Sequence, residues 1–147
     1  MYGVLLFLHI IGATIWTGGH IVLSVVILPR SLRHRSPEIL LDFEKVYEKI
    51  GMPALIIQIA TGLALSYNML PSVKGWFDLE NPLTHALLLK FVLLLITFLF
   101  ALHARFRVIP RLSPETLKLM AWHIVPVTIM SILFVFAGVS VRTGWLY

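Results

Sequence analysis

Residues 83–104 read LTHALLLKFVLLLITFLFALHA, a run in which the lysine at position 90 is the one formally charged side chain. A helix rises about 1.5 Å per residue, so a run of this length covers the roughly 30 Å hydrocarbon core of a bilayer. Working outward, three further stretches have the same character, at 3–28, 50–70 and 119–141, and none contains Asp, Glu, Lys or Arg. In lipid the backbone polar groups must be satisfied within the segment, which makes each stretch a helix. The whole chain has 147 residues, 59% hydrophobic and 13% charged, with a mean hydropathy of +0.91. An average soluble domain is about a quarter charged. This composition excludes a soluble enzyme, a nucleic-acid binder and a disordered tail. The expected fold is all-α: an integral membrane four-helix bundle forming a single membrane domain over 1–147.

The first stretch is not read as a cleaved signal peptide. It lacks a basic flank, and Pro29-Arg30 after it is no small-residue cleavage site. Lys and Arg cluster in two connections: Arg30, Arg33, Arg35, Lys45 and Lys49 in one, Arg105, Arg107, Arg111 and Lys118 in the other. Lys74 and Arg142 stand on the opposite side. The positive-inside rule then puts both basic connections in the cytoplasm and both termini, with the 71–82 loop, outside. The expected location is the inner (cytoplasmic) membrane, multi-pass. The formal charge of +5 is read as topology and attraction to lipid headgroups, and no nucleic-acid partner is expected. With no cysteine, disulfides and thiolate ligands are excluded.

The two basic connections share a pattern. Ile27-Leu28-Pro29-Arg30 is followed by Ser36-Pro37-Glu38, and Val108-Ile109-Pro110-Arg111 by Ser113-Pro114-Glu115. In each, Pro is expected to stop a helix and Ser to cap the next one, with Glu in its first turn. Either generic cap chemistry was used twice, or two tandem helical hairpins are related by an axis along the membrane normal. Between 37 and 49, Ile39, Leu40, Phe43, Val46, Tyr47 and, just beyond, Ile50 recur with helical spacing. They predict an amphipathic cytoplasmic helix leading into the second span, bent near Gly51 and Pro53.

Five of the six histidines, His9, His20, His85, His103 and His123, lie in or at the ends of spans. Ionisable groups at membrane depth are costly and face the bundle interior or a functional cavity. Counting from mid-span, His20, His123 and His103 fall roughly 6, 10 and 12 Å to the cytoplasmic side. His9, Lys90 and His85 fall roughly 10, 8 and 15 Å to the other. His9 and His20 share one face of the first helix. Imidazole ligates haem iron, copper or zinc. Gly12, Gly18, Gly19 and Gly62 would let a porphyrin approach the backbone, or equally let helices pack closely. Arg105 and Arg107 could pair with propionates, or simply obey the positive-inside rule. Met52, Met120 and Met130 are either soft copper ligands or core fillers. Trp16 lies between the two histidines, against a cofactor or as packing. His34, in a basic turn, receives no role. No nucleophile elbow, phosphate-binding loop or His-Glu-x-x-His helix occurs.

Leu8-His9-Ile10-Ile11-Gly12 with Trp16-Thr17-Gly18-Gly19 resembles the first-helix "LH…W.GG" pattern of the copper-resistance protein D family. Leu88-Leu89-Lys90-Phe91 with Phe106-Arg107-Val108-Ile109-Pro110-Arg111-Leu112 resembles that family's "LLK…RFR..PRL". This implies copper uptake or resistance, although typical members have more spans. In length and helix count the chain is also similar to the HemJ-type protoporphyrinogen oxidases, small four-helix proteins that bind haem b. Phe7-Leu8-His9-Ile10 resembles their "FHI", and Lys90 and His103 their third-helix lysine and histidine. His123-Ile124 stands where they have Asn and Glu, and His85 is five rather than two residues before Lys90.

The reading favoured by sequence is a haem b protein with a redox or electron-transfer role, a membrane oxidoreductase linked to quinone or a porphyrinogen. His9, His20, His103 and His123 would ligate one or two haems, with Lys90, Arg105 and Arg107 toward carboxylates and His85 as a further metal ligand. The alternative is a copper transport or resistance protein using His and Met. The bilayer is the expected partner, and a homo-oligomer is left open.

Overall fold

The structure is a computed structural model and describes residues 1–145. It is all-α. Four helical stretches, Tyr2–His34, Glu38–Met69, Pro82–Arg111 and Leu117–Thr143, are each long and apolar enough to cross a membrane. We divide them into α1 (Tyr2–Val22), α2 (Leu28–His34), α3 (Glu38–Met69), α4 (Pro82–His103) and α5 (Leu117–Thr143). A short 3₁₀ turn, Val73–Phe77, lies in the α3–α4 loop. There Asn81 caps α4 by accepting from the Leu83 N–H, with Pro82 in the first turn.

The chain packs as two hairpins. The α1–α3 seam is the most extensive, α4 lies on α5, and α1 also meets α5. The lateral order is therefore α3, α1, α5, α4. Without a hydrophobic driving force between helices in lipid, close packing and interhelical hydrogen bonds hold such bundles. Many buried positions are accordingly small, Gly12 and Thr17 on α1, Ala54 and Thr61 on α3, Ala86 and Thr97 on α4, Ser131, Ala137 and Ser140 on α5, beside larger ones such as Leu65, Leu93 and Met130. Thr17 Oγ1 donates to the Ser131 carbonyl at 3.2 Å, and Thr128 Oγ1 to the His20 carbonyl at 3.1 Å, stitching α1 to α5. At the basic end, Leu28, Leu40, Leu117 and Ile124 close a small apolar core. The large apolar side chains point mostly outward.

Several expectations about the basic end need correction. Pro29 does not stop the first helix. A π-helical turn, Leu23–Ile27, precedes it, and α2 continues to His34 before Arg35 enters the left-handed region at φ 53°. A proline clashes with the carbonyl four residues before it, and the wider π turn takes up that clash. The third helix carries the matching π turn, Ala104–Val108, but there Pro110 falls in a 3₁₀ turn, Ile109–Arg111, that ends the helix. The π turns are spaced as the two prolines are, so the repeat extends further than the turn motifs. Counted back from those prolines, His9 and Lys90 occupy equivalent positions.

The serines do not cap through backbone N–H groups. Ser36 Oγ donates to the Glu38 carboxylate at 2.5 Å. The Ser113 hydroxyl binds Glu115, which holds that exposed carboxyl below the usual glutamate range. A depressed carboxyl contributes stability above its unfolded pKa and loses it as pH falls through its folded value. Ser113→Ala should therefore raise the Glu115 titration toward the ordinary range, read by carboxyl ¹³C NMR; an unmoved midpoint would refute this hydrogen bond.

The 37–49 segment leads into the second span as part of one helix. It is the start of α3, which runs unbroken through Gly51 and Pro53. Its inward side is Leu40, Phe43 and Tyr47, continued by Gly51 and Ala54, while Val46 and Ile50 face out.

Candidate metal site

Each intramembrane histidine is best read from its Nδ1. On α1, His9 Nδ1 lies 3.0 Å from the Gln58 carbonyl and 3.1 Å from Thr61 Oγ1. The Thr61 hydroxyl hydrogen is given to the Ile57 carbonyl at 2.6 Å. Its oxygen can then only accept, so His9 Nδ1 carries the proton. His20 Nδ1 donates to the Trp16 carbonyl one turn back, at 2.9 Å. Its ring packs against Trp16, centroids 4.3 Å apart, and meets Tyr47 edge-on at 6.2 Å. Tyr47 in turn donates to the Ile15 and Trp16 carbonyls. Both α1 histidines thus lie against α3.

At the basic end α4 and α5 bring two imidazoles together. His103 Nδ1 and His123 Nε2 are 2.7 Å apart, with rings nearly parallel at 9°. His123 Nδ1 donates to the Leu119 carbonyl at 2.9 Å. In a neutral imidazole the other nitrogen is then an acceptor. His103 must therefore donate from Nδ1 to His123, leaving its own Nε2 lone pair free. His123 is buried between helices with Phe100 edge-on, whereas His103 reaches the surface. The result is a directed chain, His103 to His123 to the Leu119 carbonyl.

This is the arrangement in which histidines ligate metals: one ring nitrogen is anchored by an acceptor, which fixes the tautomer and makes the other more basic. His9, His20 and His103 each present Nε2 in this way. His123 uses both nitrogens and acts as the anchor for His103. His85 is exposed at the start of α4. Lys90 is partly buried and faces α5, where a Cβ at Gly138 would lie 3.7 Å from its Nζ.

The other candidates fall elsewhere. Arg105 lies 3.8 Å from Glu44 and 3.9 Å from Glu48 of α3. Arg107 lines a surface groove with His103 and Arg111. Met52 is exposed at 46%, Met120 packs on the apolar core, and Met130 Sδ accepts from Thr97 at 3.7 Å. None of these methionines joins the histidine pair. Among the described residues no three His, Asp or Glu side chains converge as a metal-binding group.

The glycines decide between the two uses left open for them. A Cβ at Gly12 would lie 2.9 Å from the Ala54 carbonyl oxygen, and one at Gly19 would run into the Tyr47 ring. Both spaces are filled by α3. Gly62 likewise admits the His9 ring, with Cε1 3.1 Å from where its Cβ would stand. Gly12, Gly19 and Gly62 therefore seat helices and side chains and hold no room for a macrocycle, whereas a Cβ at Gly18 would meet nothing within 4 Å.

Sequence reasoning did not find Tyr47, Gln58 and Thr61 as partners of the α1 histidines. Gln58, an amide well inside an apolar span, was the available signal; its Oε1 is buried without a partner among the described residues.

The family described as copper resistance protein D matches over residues 42–140. No curated protein and no solved structure is significantly similar to the chain.

Proposed function

Because the chain belongs to the copper resistance protein D family, and is a multi-pass membrane protein, we propose that it passes copper ions through the membrane on singly presented imidazole nitrogens. The observation that supports this most directly is the shared tautomer. His9, His20 and His103 each have Nδ1–H tied down and Nε2 free. They stand at three depths, outer, middle and inner if the basic end faces the cytoplasm. Imidazole suits copper, and Cu(I) accepts few ligands. Sites of one or two nitrogens bind well enough to admit an ion and weakly enough to release it, which conduction requires. A methionine role is not part of this proposal.

Metal analysis and an absorption spectrum on one preparation from copper-replete cells test it. The expected result is copper removable by a Cu(I) chelator, with no Soret band. Iron with a Soret band and no copper would overturn the proposal and return the haem reading.

A further inference from the structure

Two surface grooves lie at the basic end, one on each hairpin. The first, about 350 Å³, is lined by Val26, Pro29, Arg30, Arg33 and His34. The second, about 360 Å³, is lined by His103, Arg107, Val108, Arg111, Thr116 and Leu119. Arg30 and Arg111, which directly follow the equivalent prolines, put one arginine of each groove at the same repeat position. Each combines two guanidinium groups, one imidazole and an apolar wall.

The charge in these grooves has no carboxylate partner among the described residues. Among the described residues, the ion pairs formed involve Arg105, which reaches Glu44 and Glu48. Arg30, Arg33, Arg107 and Arg111 have no carboxylate within ion-pair distance. Beside each groove the surface becomes strongly apolar: Val25 and Val26 at the first, Phe106 at 71% and Trp122 at 75% exposure near the second. An exposed Trp next to arginines at the end of a span marks the level of the headgroups.

We propose that each groove binds the phosphate of an anionic phospholipid, with the acyl chains on the adjoining apolar surface. Arginine forks pair bidentately with phosphate oxygens, and basic clusters at the ends of spans are suited to such headgroups. The first groove is one face of α2 and the π turn before it, and the second lies between the ends of α4 and α5. His103 also lines the second groove, so lipid and copper would share one boundary of the site. The lipid assignment itself does not depend on copper.

The test is native mass spectrometry of protein released from nanodiscs of phosphatidylglycerol or phosphatidylcholine. Two phosphatidylglycerol molecules should be retained and phosphatidylcholine should not. Arg107→Gln with Arg111→Gln should lose one of them, and Arg30→Gln with Arg33→Gln the other. Arg105→Gln with Lys118→Gln removes as much charge outside both grooves and should keep both lipids. Circular dichroism before release checks that each variant is folded; Arg→Lys pairs, keeping the charge but not the fork, serve for any that is not. Retention of both lipids in the groove variants would overturn the proposal. So would equal loss in the control pair, which would mean charge number alone decides. Displacement of the lipid by millimolar inorganic phosphate would overturn the lipid source and leave a free-phosphate site.

Discussion

Gly12→Val is expected to cost about 3 kcal/mol, at the upper end of what overpacking a well-packed seam costs. The reason is what stands opposite. A Cβ at Gly12 would lie 2.9 Å from the Ala54 carbonyl oxygen, 3.1 Å from Gln58 Cβ and 3.4 Å from the Gln58 nitrogen. All three atoms are backbone, or fixed directly to it, in the middle of α3, so no rotamer change relieves the contact. The two helices must separate along the largest seam in the protein, and the His9 hydrogen bond to the Gln58 carbonyl goes with it. Gly18 supplies the control, because a Cβ there meets nothing within 4 Å. Gly18→Ala should be neutral or slightly stabilising, since alanine is the better helix former by up to about 1 kcal/mol. Denaturation midpoints in detergent compare the two. Equal midpoints would mean that the α1–α3 approach at Gly12 does not hold the bundle together.

That contrast shows where sequence reasoning reaches. The spans were legible because charge is excluded from hydrocarbon so strongly that Lys90 alone stands among four long apolar runs. The pairing of glycines with the opposite helix was not, because Gly12 and Gly18 look alike until a neighbour's backbone is placed. Pro29 and Pro110 also looked alike, and the continuation of the first helix past Pro29 depends on the π turn before it. The π turn has no composition signal. Val46 has the helical spacing of its inward neighbours and still faces out, because only that inward stripe is covered, by the Leu28–Leu117 core at Leu40 and by α1 at Tyr47.

For the histidines, depth could be counted along each span and partners could not. Counting put His20, His103 and His123 on the same side of mid-membrane and could not say which of them meet. The lateral order of helices decides it: α4 and α5 are neighbours in a hairpin, so His103 and His123 meet each other. Arg105 stands open in the sequence between propionates and the positive-inside rule. Its contacts with Glu44 and Glu48 were not legible because these are remote in sequence, and only the length of α3 beyond the span brings them near it.

The His103–His123 pair carries the second large effect. If His103 Nε2 binds copper, His123 acts through it, accepting the Nδ1 proton and so orienting the ring and raising its basicity. Loss of such an anchor costs about 10–100-fold in metal affinity. His103→Ala removes the nitrogen itself and should abolish copper binding at this end, with little effect on folding, since the side chain is exposed. His123→Phe keeps a ring between the helices and removes the acceptor, so it should lower affinity within that 10–100-fold range while the unfolding midpoint changes little. His123→Gln restores an acceptor oxygen and should recover part of the loss. Stability alone could not produce that order, because phenylalanine fills the apolar site at least as well as glutamine. Cu(I) competition titrations against a chromogenic chelator, run beside detergent unfolding, separate the two readouts. If His123→Phe binds copper as tightly as the unaltered protein, His123 does not support a ligand at His103. If His103→Ala also leaves affinity unchanged, the pair is a hydrogen bond between helices and copper passes elsewhere.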